Sequence, residues 1–316
     1  TPPRCCPQSK PMRRWTPSLV PFALWLGVGC CSVAQAQCPP PTGDLAQLQH
    51  MKAEQWMLSD RERRQTLALA LLPCLSHPDP AIRDGLAFEG LSALLRAKQL
   101  TVTSQRTIFL SQLAQLTTGI ADTHGFAKPF AALVLSEIAR ADRLVPFLNT
   151  AERAALLGAG AQYLTNVRDY RGFATGEGWR HAVAHAADLM LQLALNPAIN
   201  AAQLEHILKA VQSQVVPVGD HFYIYGESDR LARPVIFAAR RGLLDAGFWH
   251  TCIAQLASPG PLVSWGDAFG TQAGLARLHN TKSFLRALDA GARSSDNAAV
   301  QAAFEAALPP ALKGLP

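Results

Sequence analysis

Two stretches, NTAERAALL (Asn149–Leu157) and NAAQLEHIL (Asn200–Leu208), open in the same way. Each begins with an asparagine whose side chain can accept a hydrogen bond from the third backbone N–H of a helix. Each then places a glutamate or glutamine, Glu152 or Gln203, where it can reach back to the asparagine N–H. That reciprocal arrangement marks a helix start. The same chemistry recurs outward along the chain. Asp79 followed by Pro80 reads as an N-cap and first-turn proline for a helix through Leu95, and Ser59 with Glu62 reads as a further capping box. Asn196-Pro197 closes the segment between the two quoted stretches. Between these points the apolar residues follow a helical period, and no run alternates convincingly as a strand.

Helix-pair starts fall near Asp60, Ser104, Ala151, Ala201 and Phe248, a period of about 45 residues that suits two-helix repeats. The expected fold is all-α, a HEAT/armadillo-like α-solenoid of antiparallel helix pairs; a compact helical bundle is the alternative. Each pair has apolar surface on both sides and needs neighbours, which stacking supplies.

The first plausible start is Met12, followed by Arg13, Arg14 and an apolar stretch from Leu19 to Val33, with Ala34 and Ala36 before Gln37. This is the plan of a signal peptide cleaved after Ala36, so the mature chain is expected in the periplasm or secreted. The apolar stretch is too short, with Pro17 and Pro21 before it, for a membrane span of about 20 residues. A lipid-modified Cys30 or Cys31 is the lesser alternative. The organisation is then an upstream segment (1–11), a leader (12–36), a proline-rich start with a short helix (37–58) and one helical-repeat domain (59–316).

The net charge of +6 comes largely from Arg4, Lys10, Arg13 and Arg14 in the leader region, so it gives no reason to expect nucleic acid. Four of the seven cysteines, Cys5, Cys6, Cys30 and Cys31, lie there too. Cys38, Cys74 and Cys252 remain, with no metal-site spacing and room for one bridge in an oxidising compartment.

One segment interrupts the regular pattern. From Arg168 to Trp179, Gly172, Gly176 and Gly178 make a permissive loop that carries the charges of Asp169, Arg171 and Glu177. It runs into GEGWRHAVAHAADL (Gly176–Leu189). On a helical wheel His185 and Asp188 lie close to His181, with Gln192 between them, while Ala182, Ala184 and Ala186 let neighbouring helices approach. Two imidazoles one turn apart can share a divalent metal, with Asp188 as third ligand, and a metal is the one cofactor the pattern admits. The metalloprotease form fails because Ala-Val-Ala separates the histidines. No nucleophile elbow surrounds any serine, and no glycine-rich phosphate loop follows a strand. A second irregular connection, VPVGDHFYIYGESD, is expected to meet the histidine face, bringing Glu227 or Asp229 to a histidine and raising its pKa.

DYRGFATGEGWRHAVAHAADL resembles the signature of the bacterial family called domain of unknown function 2785. HPDPAIRDGLAFEGL, FAKPFAALVLSEIARAD, GESDRLA and HNTKSFLRALDA extend the likeness over nearly all the mature chain. The resemblance implies a HEAT-like helical protein without an assigned activity. The family's recurring residues match Arg83, Asp84, Asp169, Arg171, Gly172, Gly178, Trp179, His181, His185, Asp188, Glu227, Arg230 and Leu231. Lys128-Pro129 and Ala186 depart from its pattern.

The expected function is a binding or scaffold module for a protein, peptide or small-molecule ligand. Its candidate site is Asp169, Arg171, Trp179, His181, His185, Asp188, Glu227, Asp229 and Arg230. The competing expectation is a metal-dependent hydrolase with His181, His185 and Asp188 as ligands and Glu227 as general base.

Overall fold

The computed structural model describes Cys38 and residues 44–118 and 122–316; the stretch read as a leader, 12–36, lies outside the described residues. The chain is all-α. In order, α1 is Leu45–Ala53, α2 Arg61–Ala70, α3 Pro80–Ile82, α4 Glu89–Arg96, α5 Val102–Thr117, α6 Ala127–Leu144 and α7 Thr150–Asn166. After a hairpin, α8 is Ala182–Ala194, α9 Ala201–Val215, α10 Glu227–Arg240, α11 Ala246–Leu256, α12 Gln272–Arg293, α13 Ala298–Phe304 and α14 Leu308–Lys313. The hairpin strands are β1, Phe173–Ala174, and β2, Gly178–Trp179.

The caps explain where helices begin. Both asparagine capping boxes are formed, Asn149 with Glu152 and Asn200 with Gln203. The Asp79 carboxylate accepts from Ala81 N at 2.8 Å with Pro80 in the first turn. The Ser59–Glu62 expectation is corrected by one residue. Asp60 is the cap, its carboxylate accepting from Glu62 N and Arg63 N at 2.9 and 3.0 Å. There a negative charge also gains from the partial positive charge of the helix end.

Within the described residues the helices pack in two rows. In one, α4, α6, α8, α10 and α12 each lie against the next; in the other, α5 meets α7 and α7 meets α9. Across the rows α5 lies on α6, α7 on α8 and α9 on α10. The α7–α8 contact is close because Gly160 has no side chain. A Cβ there would come within 2.7 Å of Met190 Cε and 2.8 Å of Leu189 Cδ2. The helix α8 sits in the middle of one row and is buried along nearly its whole length.

Between α3 and α4 the turn widens to a π-helical stretch, Arg83–Phe88, which is uncommon and tends to mark sites with a special requirement. Here it places Arg83 inside the protein. A disulfide joins Cys38 to Cys74, pinning the start of the domain to the 3₁₀ turn Leu72–Ser76, while Cys252 is free and buried.

The bridge closes a loop with a sequence separation of 36 residues. Chain-entropy arguments for such a loop give a stabilisation of about 3 kcal/mol. Cys38→Ala is expected to lower the unfolding free energy by about that amount in urea titrations. Dithiothreitol should lower the wild type similarly and leave the variant unchanged.

Candidate functional site

The segment 168–179 is an ordered hairpin rather than an open loop. Phe173 pairs with Trp179 and Ala174 with Gly178, around a turn in which Gly176 and Gly178 take positive φ. The strands are two residues long, too short to show as alternation in the sequence. The pairing continues past the strands, with Arg180 N donating to Gly172 O at 2.9 Å and His181 N to Arg171 O at 3.2 Å.

His181 ends this extended run. Its φ of 52° and ψ of 37° lie in the left-handed region, where a side chain other than glycine costs about 1 kcal/mol or more. The turn converts strand into helix, and the His181 carbonyl accepts from His185 N at 2.9 Å as the first bond of α8. It also lays the imidazole flat on Trp179, ring centroids 4.4 Å apart and planes at 8°.

The hairpin is held from both sides. On one, the fully buried Arg83 donates to the carbonyls of His77 and Pro78 at 3.0 Å each and to that of Glu177 at 2.7 Å. Its guanidinium lies 3.7 Å from the Phe126 ring centre, and that of Arg180 lies 4.4 Å from the same ring. Arg180 in turn donates to His124 O at 3.0 Å and to the Glu177 carboxylate at 2.6 Å. Gly178 permits the approach, since a Cβ there would stand 2.8 Å from Pro80 Cβ and 3.0 Å from Arg83 Nη2. On the other side, Tyr225 lies directly on Gly172, where a Cβ would fall 2.0 Å from its ring, and the Tyr225 hydroxyl donates to Phe173 O at 3.3 Å.

The connection bearing Tyr225 is itself fixed. Buried Asn280 of α12 donates to His221 O at 2.8 Å and accepts from Tyr223 N at 2.9 Å. The Tyr223 hydroxyl donates to Gln214 O at 2.9 Å.

The expected polar face of α8 is not open to solvent. His181 lies on Trp179 of the hairpin, and the other three groups meet neighbouring helices. His185, 8% exposed, sets its ring 5.3 Å from Phe130 of α6. Gln192 accepts from Arg143 of α6 at 3.3 Å, and Asp188 forms an ion pair with Arg230 of α10.

The two segments do meet, but through different atoms from those expected. Arg230, paired with Asp188, is the charged group that bears on the histidines, while Glu227 is 2% exposed and accepts from Tyr225 N at 2.9 Å. Glu227 and His181 line one closed nook that has no room for a water, together with Tyr170, Arg171 and Tyr223. Asp229 is exposed. Asp169 pairs with Arg171 at the surface.

The expected rise in histidine pKa is therefore reversed. Burial, then the nearby Arg230 charge, pushes His181 down to about 4. Burial, then the His181 and Arg230 charges, pushes His185 down to about 3 against a smaller opposing effect of the Pro129 carbonyl. Burial raises the Asp188 carboxyl, and the Arg230 guanidinium pulls it back. Both imidazoles are neutral at neutral pH, and the Nδ1 atom of each is buried without a hydrogen-bond partner.

Among the described residues no group of three His, Cys, Asp or Glu side chains is placed to hold a metal ion, and Asp188 is taken up in its ion pair with Arg230.

The part of the site that reaches solvent is aromatic. Phe173, Trp179 and Tyr225 are 46%, 39% and 37% exposed. Phe173 lies 5.1 Å from Trp179, and Trp179 lies 5.6 Å from Tyr225, between ring centroids. Past Arg171 an open depression of about 610 Å³ is lined by Arg168, Asp169, Tyr170, Arg171 and His221, with Tyr170 and His221 stacked at 5.4 Å. Sequence reasoning overlooked Phe173 and Arg180. The available signal was the reach of FATGEGW, two aromatic residues flanking a glycine-bearing turn.

The model of one protein family, described as protein of unknown function (DUF2785), matches residues 96–289. The chain belongs to that family. No curated protein and no solved structure matches it.

This geometry has two measurable outcomes. Gly172→Ala should destabilise the fold by about 1–3 kcal/mol by overpacking against Tyr225, and should cost almost nothing in a Tyr225→Ala background. A denaturation cycle in which the two effects simply add would refute the contact. The second outcome concerns acid. Because both imidazoles resist protonation when folded, the unfolded chain takes up more protons below its ordinary histidine pKa. Stability should thus fall from about pH 6.5 down to about pH 4 through His181 and on to about pH 3 through His185. Urea midpoints measured across that window should show a flatter slope in His185→Gln.

Proposed function

We propose that this member of the DUF2785 family is a binding module whose ligand or partner docks on the aromatic surface formed by the hairpin and the connection before α10. The single observation carrying the reading is that Phe173, Trp179 and Tyr225 share an exposed surface while their backbone is fixed from both sides. Large rings cost free energy to expose to water, and a rigid cluster of them is a common plan for recognition. His181 adds to this, since a strained backbone conformation persists where surrounding structure demands it, often next to a site.

The frame is read as a stack of HEAT/armadillo-like helix pairs, with the irregular connections carrying the function. The compartment is read as periplasmic or extracellular. The leader beginning at Met12 supports this, and the Cys38–Cys74 disulfide suits an oxidising environment.

A metal-dependent hydrolase using His181 and His185 is the second reading. It is favoured by one observation, the neutral imidazoles with unpartnered Nδ1 atoms. Against it, Asp188 is held by Arg230 and Glu227 by the Tyr225 N–H.

Metal analysis of protein purified without a histidine tag separates the two. The binding reading expects no stoichiometric transition metal in the wild type or in a His181→Ala/His185→Ala variant. Stoichiometric metal in the wild type that disappears in the variant would overturn it in favour of the hydrolase.

A further inference from the structure

We infer that the solvent face of α6, α8 and α10 docks an acidic polypeptide segment of a partner protein, whose carboxylates pair with Arg140, Arg143 and Arg233. This is a second surface, set further along α8 than His181 and independent of the aromatic one. Two ion pairs underlie it. Arg96 of α4 pairs with Glu137 of α6, Nε to Oε2 3.0 Å, and Arg230 of α10 pairs with Asp188 of α8. In both pairs the carboxylate is the buried member and the guanidinium the more exposed one. The acids therefore face the interior, and the cations face solvent.

Three further arginines of this face are unmatched. Arg140, Arg143 and Arg233 form no ion pair among the described residues. Arg143 reaches over to α8, donating to Gln192 at 3.3 Å, while its Nε is buried without a hydrogen-bond partner. Burial, then the Arg140 charge beside it, lowers the Arg143 pKa. On the other side of α8, Arg233 stands near Asp188, one turn before Gln192. Two like charges held together, one of them partly stripped of water, cost stability until an anion joins them, so a carboxylate gains most here. The exposed acid on this stretch of α10, Asp229, lies one turn before Arg233 and is a single charge against the three.

The spacing of these cations favours a polypeptide. Each of α4, α6, α8 and α10 lies against the next, and packed helices stand about 8–10 Å apart. An extended chain rises about 3.3 Å per residue, so three residues advance it by about one helix width. A segment crossing the row with an acid at every third position would meet the cations of α4, α6 and α10 in turn, passing over Gln192 of α8. Each guanidinium fork can take a carboxylate through two hydrogen bonds. Leu144 and Val145, exposed just past Arg143, offer contact to apolar side chains, which a phosphate chain lacks.

Fluorescence anisotropy of a labelled dodecapeptide of Glu-Ser-Leu repeats, titrated with the protein, tests this. Its lysine counterpart, inorganic polyphosphate and phosphatidylglycerol vesicles are the contrasts. The glutamate peptide should bind, and binding should weaken roughly tenfold in Arg140→Gln/Arg143→Gln and roughly tenfold in Arg233→Gln, with unchanged circular dichroism spectra. Lys209→Gln, which removes an exposed cation of α9 outside this face, should bind as the wild type does. So should Trp179→Ala, because the aromatic surface takes no part. Equal weakening in the Lys209 variant, or equal binding of the lysine peptide, would overturn the assignment of this face. Arginine-dependent binding of polyphosphate or vesicles without the peptide would overturn the partner class. No binding of the glutamate peptide at millimolar concentration would overturn the proposal and leave the aromatic reading to its own test.

Discussion

The buried guanidinium of Arg83 is the constraint on which the surface arrangement depends. A cation with no exposure must place its donors inside the protein, because an unpaired buried charge costs several kcal/mol. Arg83 does so by binding carbonyls at two distant points of the chain, His77 and Pro78 beside its own helix and Glu177 at the hairpin turn. Asp84 supplies the countercharge at 2.7 Å, and the Phe126 ring closes over the guanidinium. The π-helical turn at Arg83–Phe88 and the glycine at 178 both make sense as accommodations of this one side chain. Through its Nη atoms Arg83 ties the hairpin turn to the chain before α3, and the exposed rings of the hairpin are anchored with it.

The entry to α8 is the first element to depend on that fixed hairpin. The ladder ends at His181, whose left-handed backbone redirects the chain into a helix buried on nearly every side. The alanines at 182, 184, 186 and 187 allow α6, α7 and α10 to close around it, so the polar residues of α8 meet partners on those helices and not solvent. Neutral imidazoles are the electrostatic result: with Arg230 near both rings and little water to solvate a proton, the charged form is disfavoured twice over.

The frame was legible in the sequence because caps are local chemistry. Asn149, Asn200 and Asp79 each act within a few residues, and each forms the bond its neighbours imply. The helix starts inferred near Asp60, Ser104, Ala151 and Ala201 lie within two residues of those observed. The site was legible only in part. Trp179, His181 and the connection through Tyr225 could be picked out by composition, and they do come together. Their relations could not be read, since a helical wheel assigns His181 to a helix that begins one residue later. It also cannot say whether Asp188 turns toward an imidazole or toward Arg230. The sign of the histidine shifts depended on burial and on an arginine brought from α10, and neither is a local property.

Among the described residues, the hydrogen bonds that shape the exposed rings are also the longest in sequence. Arg83 reaches Glu177 across 94 residues, and Asn280 reaches His221 and Tyr223 across 59 and 57. Contacts of such separation offset their loop-closure entropy only after the intervening chain has ordered. During folding, the helices with local caps can form early, whereas the aromatic surface must wait for both its N-terminal and C-terminal anchors. Its completion is therefore expected to be a late event, and a chain interrupted before Asn280 would lack the anchors of the aromatic surface even with most of its helices in place.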